Sequence, residues 1–283
     1  MDKKSITTIY GVLGYPAQHS LSPLMHNAAF RALKINAEYR IFEVKPEDLD
    51  HFLDNMDANI YGLNVTIPYK EKILEFVSLD AESFFLKKIG AVNTIVKKDN
   101  AWMGFNTDIP GFSKHLKEVL DPYDKKAAVL GAGGAARAVC YALVKSGAKE
   151  IAIFDIERTK SQGTAEMIKN LFPHFPISAV GSIEELNIKS RDLLINATPV
   201  GMKESDPCLV PQELLSENLF VYDLIYNPKQ TKLLAQAQKA GAHTENGLGT
   251  LLCQGALSFE HFTGKSAPLE IMKQALSQGV KSL

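Results

Sequence analysis

The 283-residue chain is 46% apolar, 22% charged and 8% aromatic, which fits a globular protein and excludes collagen-like, coiled-coil and disordered classes. Its 31 Lys and Arg balance 32 Asp and Glu to a net charge of -1, so no basic excess points to nucleic acid or an anionic membrane. The length predicts two domains, and three cysteines at 140, 208 and 253, without metal spacing, predict a reducing, cytoplasmic setting without a disulfide framework.

Lys3 and Lys4 are followed by Ser5, Thr7 and Thr8, so the core of a signal peptide is not expected. Residues 6–13 read as a strand ending at Gly14. Ser22-Pro23 then reads as a helix start, with Ser22 as N-cap and Pro in the first turn. Residues 39–44 alternate as a strand, Pro46 opens a helix through Met56, and residues 60–67 form a β-branched run stopped by Pro68. Lys70 falls at the start of a further predicted helix, and residues 92–96 and 102–105 read as a strand pair. Asp108 follows at the end of a strand.

From Lys126 the rhythm changes. Residues 127–130 are a short apolar run, 131–134 a glycine-rich turn, and a helix extends to about Lys145. The stretch 127–144 imitates a membrane span, but Arg137 at its centre costs about 2.5–3.5 kcal/mol on insertion scales, and a phosphate-binding turn explains its glycines better. Strands are predicted at 151–154, 177–180, 193–196, 220–224 and 242–244, with a helix over 159–171. Continuous apolar strands imply a sheet covered on both faces, the α/β pattern of a Rossmann-like doubly wound parallel sheet. Two amphipathic helices, 250–262 and 268–280, close the chain.

Gly131-Ala132-Gly133-Gly134-Ala135-Ala136 fits G-x-G-x-x-G/A between a predicted strand and a predicted helix. Gly131 permits the tight turn, Gly133 lets backbone approach a pyrophosphate, and Ala136 lets helix and strand pack closely. The helix N-terminus offers unpaired N–H groups and the positive dipole end to the phosphates. Asp155 lies 19 residues beyond Ala136, where a carboxylate accepts hydrogen bonds from the adenine ribose of NAD. Capping the following helix is the alternative role for Asp155.

Several blocks resemble the shikimate dehydrogenase family, including its quinate/shikimate dehydrogenase branch. They are Ser20-Leu21-Ser22-Pro23, Asn64-Val65-Thr66-Ile67-Pro68-Tyr69-Lys70, Gly90-Ala91-Val92-Asn93-Thr94 and Asn106-Thr107-Asp108, followed by the glycine-rich loop. Asn196-Ala197-Thr198-Pro199-Val200-Gly201-Met202, the DLIYNP block from Asp223 to Pro228, and Gly247 with Gln254 complete the series. The resemblance implies a substrate-binding catalytic domain of residues 1–107 and 248–283, with a dinucleotide-binding domain, 108–247, inserted in it. It implies reversible oxidation of shikimate to 3-dehydroshikimate, with quinate as a further candidate substrate.

The resemblance assigns Lys70 and Asp108 as the catalytic pair. Burial in a cleft lowers a lysine pKa and a neighbouring carboxylate raises it again, so such a pair can exchange a proton with the carbinol oxygen. Ser20, Ser22 and Tyr226 offer hydroxyls to the substrate carboxylate, and Asn64, Thr66, Asn93 and Gln254 offer amides and hydroxyls to its ring. Thr198, Leu224 and Gly247 join Gly131, Ala132, Gly133, Gly134, Ala135 and Asp155 as cofactor residues. His19 and His26 lack companion ligands, so no metal is expected, and Cys253 reads as a small buried helix residue.

Two positions depart from the family's pattern. NADP-using members usually carry Asn-Arg-Thr after the second nucleotide-domain strand, where this chain has Asp155-Ile156-Glu157. That favours NAD, with NADP as the alternative. Thr250 stands where the family often has Met near the nicotinamide. The expected partner is a small-molecule substrate, with no nucleic acid or membrane, and the expected assembly a monomer or homodimer. A catalytically silent nucleotide-sensing protein on the same fold is the reading from another class.

Overall fold

The structure, a computed structural model, describes residues 7–99 and 101–281. Lys3, Lys4, Ser5 and Ile6 of the predicted N-terminal stretch lie outside the described residues. The chain divides into two units: one holds the described residues up to Thr107 and those from Leu252 on, the other spans Asp108–Leu251.

The first unit contains β1 (Thr8–Gly14), α1 (Ser22–Ala32), β2 (Ala37–Glu43), α2 (Leu49–Asp54), β3 (Ile60–Val65), α3 (Leu86–Ile89), β4 (Thr94–Lys98) and β5 (Ala101–Phe105). Its sheet runs β2-β1-β3-β4-β5. β1 pairs in parallel with β2 and β3, and β4 pairs antiparallel with β3 and β5. β1 is buried along almost its whole length, as a parallel strand covered on both faces must be. Leu13, Leu63 and Ile95 form the centre of this core.

The second unit contains α4 (Asp108–Val119), β6 (Lys126–Leu130), α5 (Gly134–Lys145), β7 (Glu150–Phe154), α6 (Arg158–Leu171), β8 (Ile177–Ala179), β9 (Leu193–Asn196), β10 (Phe220–Asp223), α7 (Lys232–Lys239) and β11 (His243–Asn246). The order β11-β10-β9-β6-β7-β8, all parallel, is that of a doubly wound sheet. The chain winds outward from β6 through β8, then returns to the other side of β6 as β9. The C-terminal ends of β6 and β9 therefore flank the topological switch point, where such sheets bind ligands.

Helices α8 (Leu248–Thr263) and α9 (Leu269–Lys281) follow. Asn246 Oδ1 accepts from the Leu248 amide at 3.0 Å and starts α8 earlier than the apolar pattern predicts. Thr250 Oγ1 lies 2.8 Å from Tyr222 Oη, and a Cβ on Gly249 would sit 2.0 Å from the His115 ring. These contacts place Leu248–Leu251 with the second unit. The rest of α8 packs in the first: Tyr10 stacks on Phe262 and donates to its carbonyl at 2.9 Å.

Three local expectations are corrected. The N-cap of α1 is Leu21 rather than Ser22, because Ser20 Oγ accepts from the Ser22 amide at 3.3 Å and begins the turn earlier. The helix expected from Pro46 to Met56 is a 3₁₀ turn, Pro46–Asp48, followed by the short α2. Lys70 does not start a helix; it sits in the turn before the 3₁₀ segment Lys72–Glu75.

His26, on α1, is wholly buried, and neither ring nitrogen has a hydrogen-bond partner. Its ring stacks on Tyr39 at 4.3 Å, and burial pushes its pKa down to about 3. Because the folded pKa is depressed below that of the unfolded chain, stability present above pH 6.5 is lost as pH falls towards 3. His26→Phe keeps the stacked ring and removes the titration. Its urea midpoint should vary less than wild type between neutral and mildly acidic pH, the difference reaching a few kcal/mol. Identical pH profiles would show that His26 makes no such contribution.

Candidate functional site

In the first unit two loops run side by side at the C-terminal ends of β1 and β3. Glu43, closing β2, accepts from the amides of Ala17 at 2.7 Å and Gln18 at 3.0 Å and so fixes the loop carrying Ser20 and Ser22. These bonds, the Ala17 amide first, hold the Glu43 carboxyl below the usual carboxylate range. The Tyr15 amide donates to the Ile67 carbonyl at 2.9 Å, and a Cβ on Gly14 would lie 2.3 Å from Thr66 Cγ2. Glycine at 14 thus lets the serine loop pass against the block containing Thr66 and Lys70.

Thr66 and Lys70 occupy a turn closed by the Tyr69 amide donating to the Thr66 carbonyl at 2.9 Å. The Lys70 carbonyl accepts from the Val92 amide at 2.8 Å, which brings Lys70 beside Asn93. Asn93 Oδ1 accepts from the Thr107 amide at 2.7 Å, and Asn93 Nδ2 donates to Thr107 Oγ1 at 2.9 Å. Thr107 Oγ1 in turn reaches Gln254 Oε1 at 3.4 Å. The fold thus brings together Thr66, Lys70, Asn93 and Gln254, which come from three separate stretches of the chain.

Asn64 is tied into the same framework. Its Oδ1 accepts from Tyr39 Oη at 2.7 Å, and its Nδ2 donates to Ser258 Oγ at 2.8 Å and Thr94 Oγ1 at 3.0 Å. A buried amide must be paired, and here the framework engages both its carbonyl and its N–H groups. Sequence reasoning missed Tyr39, Thr94, Thr107, Ser258 and Glu43 as supports. Thr94 and Thr107 lie inside the recognised blocks, whereas Tyr39 and Ser258 occupy ordinary strand and helix positions that carry no signal.

In the second unit Gly131 adopts φ 94°, the left-handed region that favours glycine, and its amide donates to the Phe154 carbonyl at 2.8 Å. A Cβ on Gly133 would meet nothing within 4 Å. α5 starts directly afterwards without a side-chain cap. Open space beside an uncapped helix N-terminus fits the pyrophosphate of a dinucleotide. Asp155 follows β7; its Oδ2 accepts from the Ala132 amide and its Oδ1 from the Glu157 amide, each at 2.8 Å. Its carboxylate therefore lies against the glycine-rich loop, and the N-cap of α6 is Glu157. Ile156 is 92% exposed.

Thr198, Leu224 and Gly247 gather around the same strand ends. A Cβ on Gly131 would lie 2.9 Å from Thr198 Cγ2, and one on Gly247 only 1.9 Å from the Leu224 carbonyl oxygen. Gly134 and Ala135 open α5, and Tyr226 follows Leu224 beyond β10. Asp108 is the first residue of α4, in the second unit, while Lys70 belongs to the first. Among the described residues no group of three or more His, Cys, Asp or Glu is placed to hold a metal ion, and no helix is long and apolar enough to cross a membrane.

Comparison with known proteins agrees with this arrangement. Residues 12–95 match the family model described as the shikimate dehydrogenase substrate binding domain, and residues 247–276 the shikimate 5'-dehydrogenase C-terminal domain. The chain is 43% identical to a protein of Methanopyrus kandleri named shikimate dehydrogenase (NADP(+)), over 97% of both chains. A shikimate dehydrogenase solved in complex with NADP+ superposes with a TM-score of 0.86 at 38% identity, covering 97% of this chain and 96% of the other. Shikimate 5-dehydrogenase from Listeria monocytogenes, solved with shikimate and NAD, gives a TM-score of 0.81 at 36% identity, covering 95% and 96%.

Proposed function

The chain belongs to the shikimate dehydrogenase family, and on that premise we propose that it interconverts shikimate and 3-dehydroshikimate by hydride transfer with a nicotinamide dinucleotide. The observation that carries this reading is the gathering of Thr66, Lys70, Asn93 and Gln254 in one unit, with a glycine loop that borders open space in the other. When bound, the nicotinamide ring accepts or donates the hydride. The chain's own residues handle the proton. In the oxidation, Lys70 takes the proton of the substrate hydroxyl while the carbon–hydrogen bond gives up its hydride; in the reduction it returns that proton to the oxygen. Asp108 is the second residue of the proposed catalytic pair. Incubating the protein with shikimate and an oxidised nicotinamide dinucleotide should yield 3-dehydroshikimate in amounts equal to the reduced cofactor, as read by NMR. Cofactor bound but never reduced would support a nucleotide-sensing protein instead.

In this reading Ser20 and Ser22 clamp the substrate carboxylate. Each hydrogen bond to a charged group is worth about 1.5–3 kcal/mol. Ser20→Ala and Ser22→Ala should therefore each lower kcat/KM for shikimate about tenfold or more. Unchanged values in both variants would remove the serines from the clamp. Their small side chains leave room for quinate as a second substrate.

The cofactor preference rests on two opposed observations. The relative's name specifies NADP(+), which supports the NADP-dependent alternative better than NAD. The residues after β7 favour NAD in this chain. The Asp155 carboxylate lies against the loop that would hold the pyrophosphate, and the exposed Ile156 has no charge to offer a 2′-phosphate. We take these residues as deciding, since relatives near 40% identity can differ at this turn.

A further inference from the structure

We propose that Asp223 is a positioning residue that locks together the two strand-end segments facing the cofactor. This inference rests on the dehydrogenase reading above. Asp223 is the last residue of β10, and it is wholly buried. A buried carboxylate is costly unless hydrogen bonds satisfy it, so its partners show what it organises. Oδ1 accepts from Asn196 Nδ2 at 2.9 Å and from the Ile225 amide at 3.0 Å. Oδ2 accepts from Thr231 Oγ1 at 2.7 Å.

Each partner leads to a different piece of the cofactor site. Asn196 ends β9, and its Oδ1 accepts from both the amide and the hydroxyl of Thr198, at 3.0 and 2.7 Å. Thr198 Oγ1 accepts from the Val200 amide at 3.1 Å, so the whole turn after β9 hangs on Asn196. That turn presses on Gly131, whose Cβ would lie 3.0 Å from the Ala197 carbonyl oxygen. On the other side, the Ile225 amide fixes the chain after Leu224, and the Ile225 carbonyl accepts from the Gly247 amide at 3.1 Å. Thr231 also accepts from the Leu234 amide as N-cap of α7, which anchors the carboxylate from behind.

One carboxylate therefore sets the relative positions of Thr198, Leu224, Gly131 and Gly247 without itself facing a ligand. No other buried acid among the described residues is arranged in this way. Burial pushes the Asp223 carboxyl up to about 6, against the downward effect of its Thr231, Ile225 and Asn196 bonds.

The test is a comparison of Asp223→Asn, Asp223→Ala and Thr231→Ser. An amide at 223 can still accept from Asn196 and Ile225 and can donate to Thr231 Oγ1, whereas alanine removes all three bonds. The KM of the cofactor should rise about tenfold or more in Asp223→Ala and stay within about threefold of wild type in Asp223→Asn, while the KM of shikimate stays within about threefold in both. Thr231→Ser keeps the hydroxyl and should behave as wild type. Cofactor binding measured directly by fluorescence should weaken in parallel. If Asp223→Ala does not fold, Asp223→Ser, whose side chain is too short to keep these bonds, decides. A folded Asp223→Ala or Asp223→Ser enzyme with unchanged cofactor KM, or with cofactor and shikimate KM rising together, would overturn the proposal. Wild-type protein inactive on shikimate would instead overturn the dehydrogenase reading.

Discussion

Lys70→Met should lower kcat by about 10²–10⁴-fold, the usual contribution of a positioned general acid–base group. The carbinol cannot give up a hydride efficiently while its hydroxyl keeps its proton, and methionine cannot accept one. Lys70 is half-buried in a turn, and its backbone tie to the chain around Asn93 runs through its carbonyl, which any residue provides. Methionine retains a flexible apolar stem of similar length. The KM of shikimate should accordingly change far less than kcat. Full kcat with a large rise in KM would show that Lys70 binds the substrate and moves no proton.

NAD should be used better than NADP by about tenfold to a thousandfold in kcat/KM, or ~1.4–4 kcal/mol. The 2′-phosphate of NADP carries about -1.5 to -2 charges. At about 4 Å from a carboxylate, repulsion is about 4 kcal/mol per unit pair at an effective dielectric of 20, and screening and side-chain movement reduce it. The Asp155 carboxylate is held in place by two backbone amides, which limits its freedom to turn away. Glu157 adds negative charge beside it, although it is engaged by Lys160 at 2.6 Å. Arg158 opposes the repulsion in part. The double substitution Asp155→Asn with Ile156→Arg removes the charge and adds a guanidinium fork suited to phosphate. An amide at 155 can still bond the loop, and reading the result as an NAD/NADP ratio cancels any general loss. The ratio should move towards NADP; an unmoved ratio would place cofactor selection elsewhere.

The nucleotide-binding sheet was legible because its strands are short continuous apolar runs punctuated by glycine-rich turns. The predicted runs 151–154 and 193–196 match β7 and β9 to within a residue. The glycine loop was legible for a related reason: Gly131 needs a left-handed backbone, and Gly133 borders open space. What stayed hidden depends on contacts between distant residues. Ser22 has the chemistry of an N-cap, but the neighbouring Ser20 hydroxyl bonds its amide. Asn64 has the chemistry of a substrate contact, and only the fold shows that Tyr39, Thr94 and Ser258 engage its amide. Sequence spacing brings a polar residue near a site; it does not show which way its hydrogen bonds point. The same limit applies to Asp223, which stands in a recognised block and reveals its partners only in the fold.

The most direct measurement is a steady-state matrix of wild-type protein with shikimate and quinate, each with NAD and NADP. The account predicts the highest kcat/KM for shikimate with NAD, a lower value for shikimate with NADP, and room for activity on quinate. NADP used better than NAD would overturn the cofactor assignment and leave an NADP-dependent biosynthetic shikimate dehydrogenase. Absence of shikimate oxidation with either cofactor, by protein that binds the dinucleotide, would contradict the catalytic reading itself.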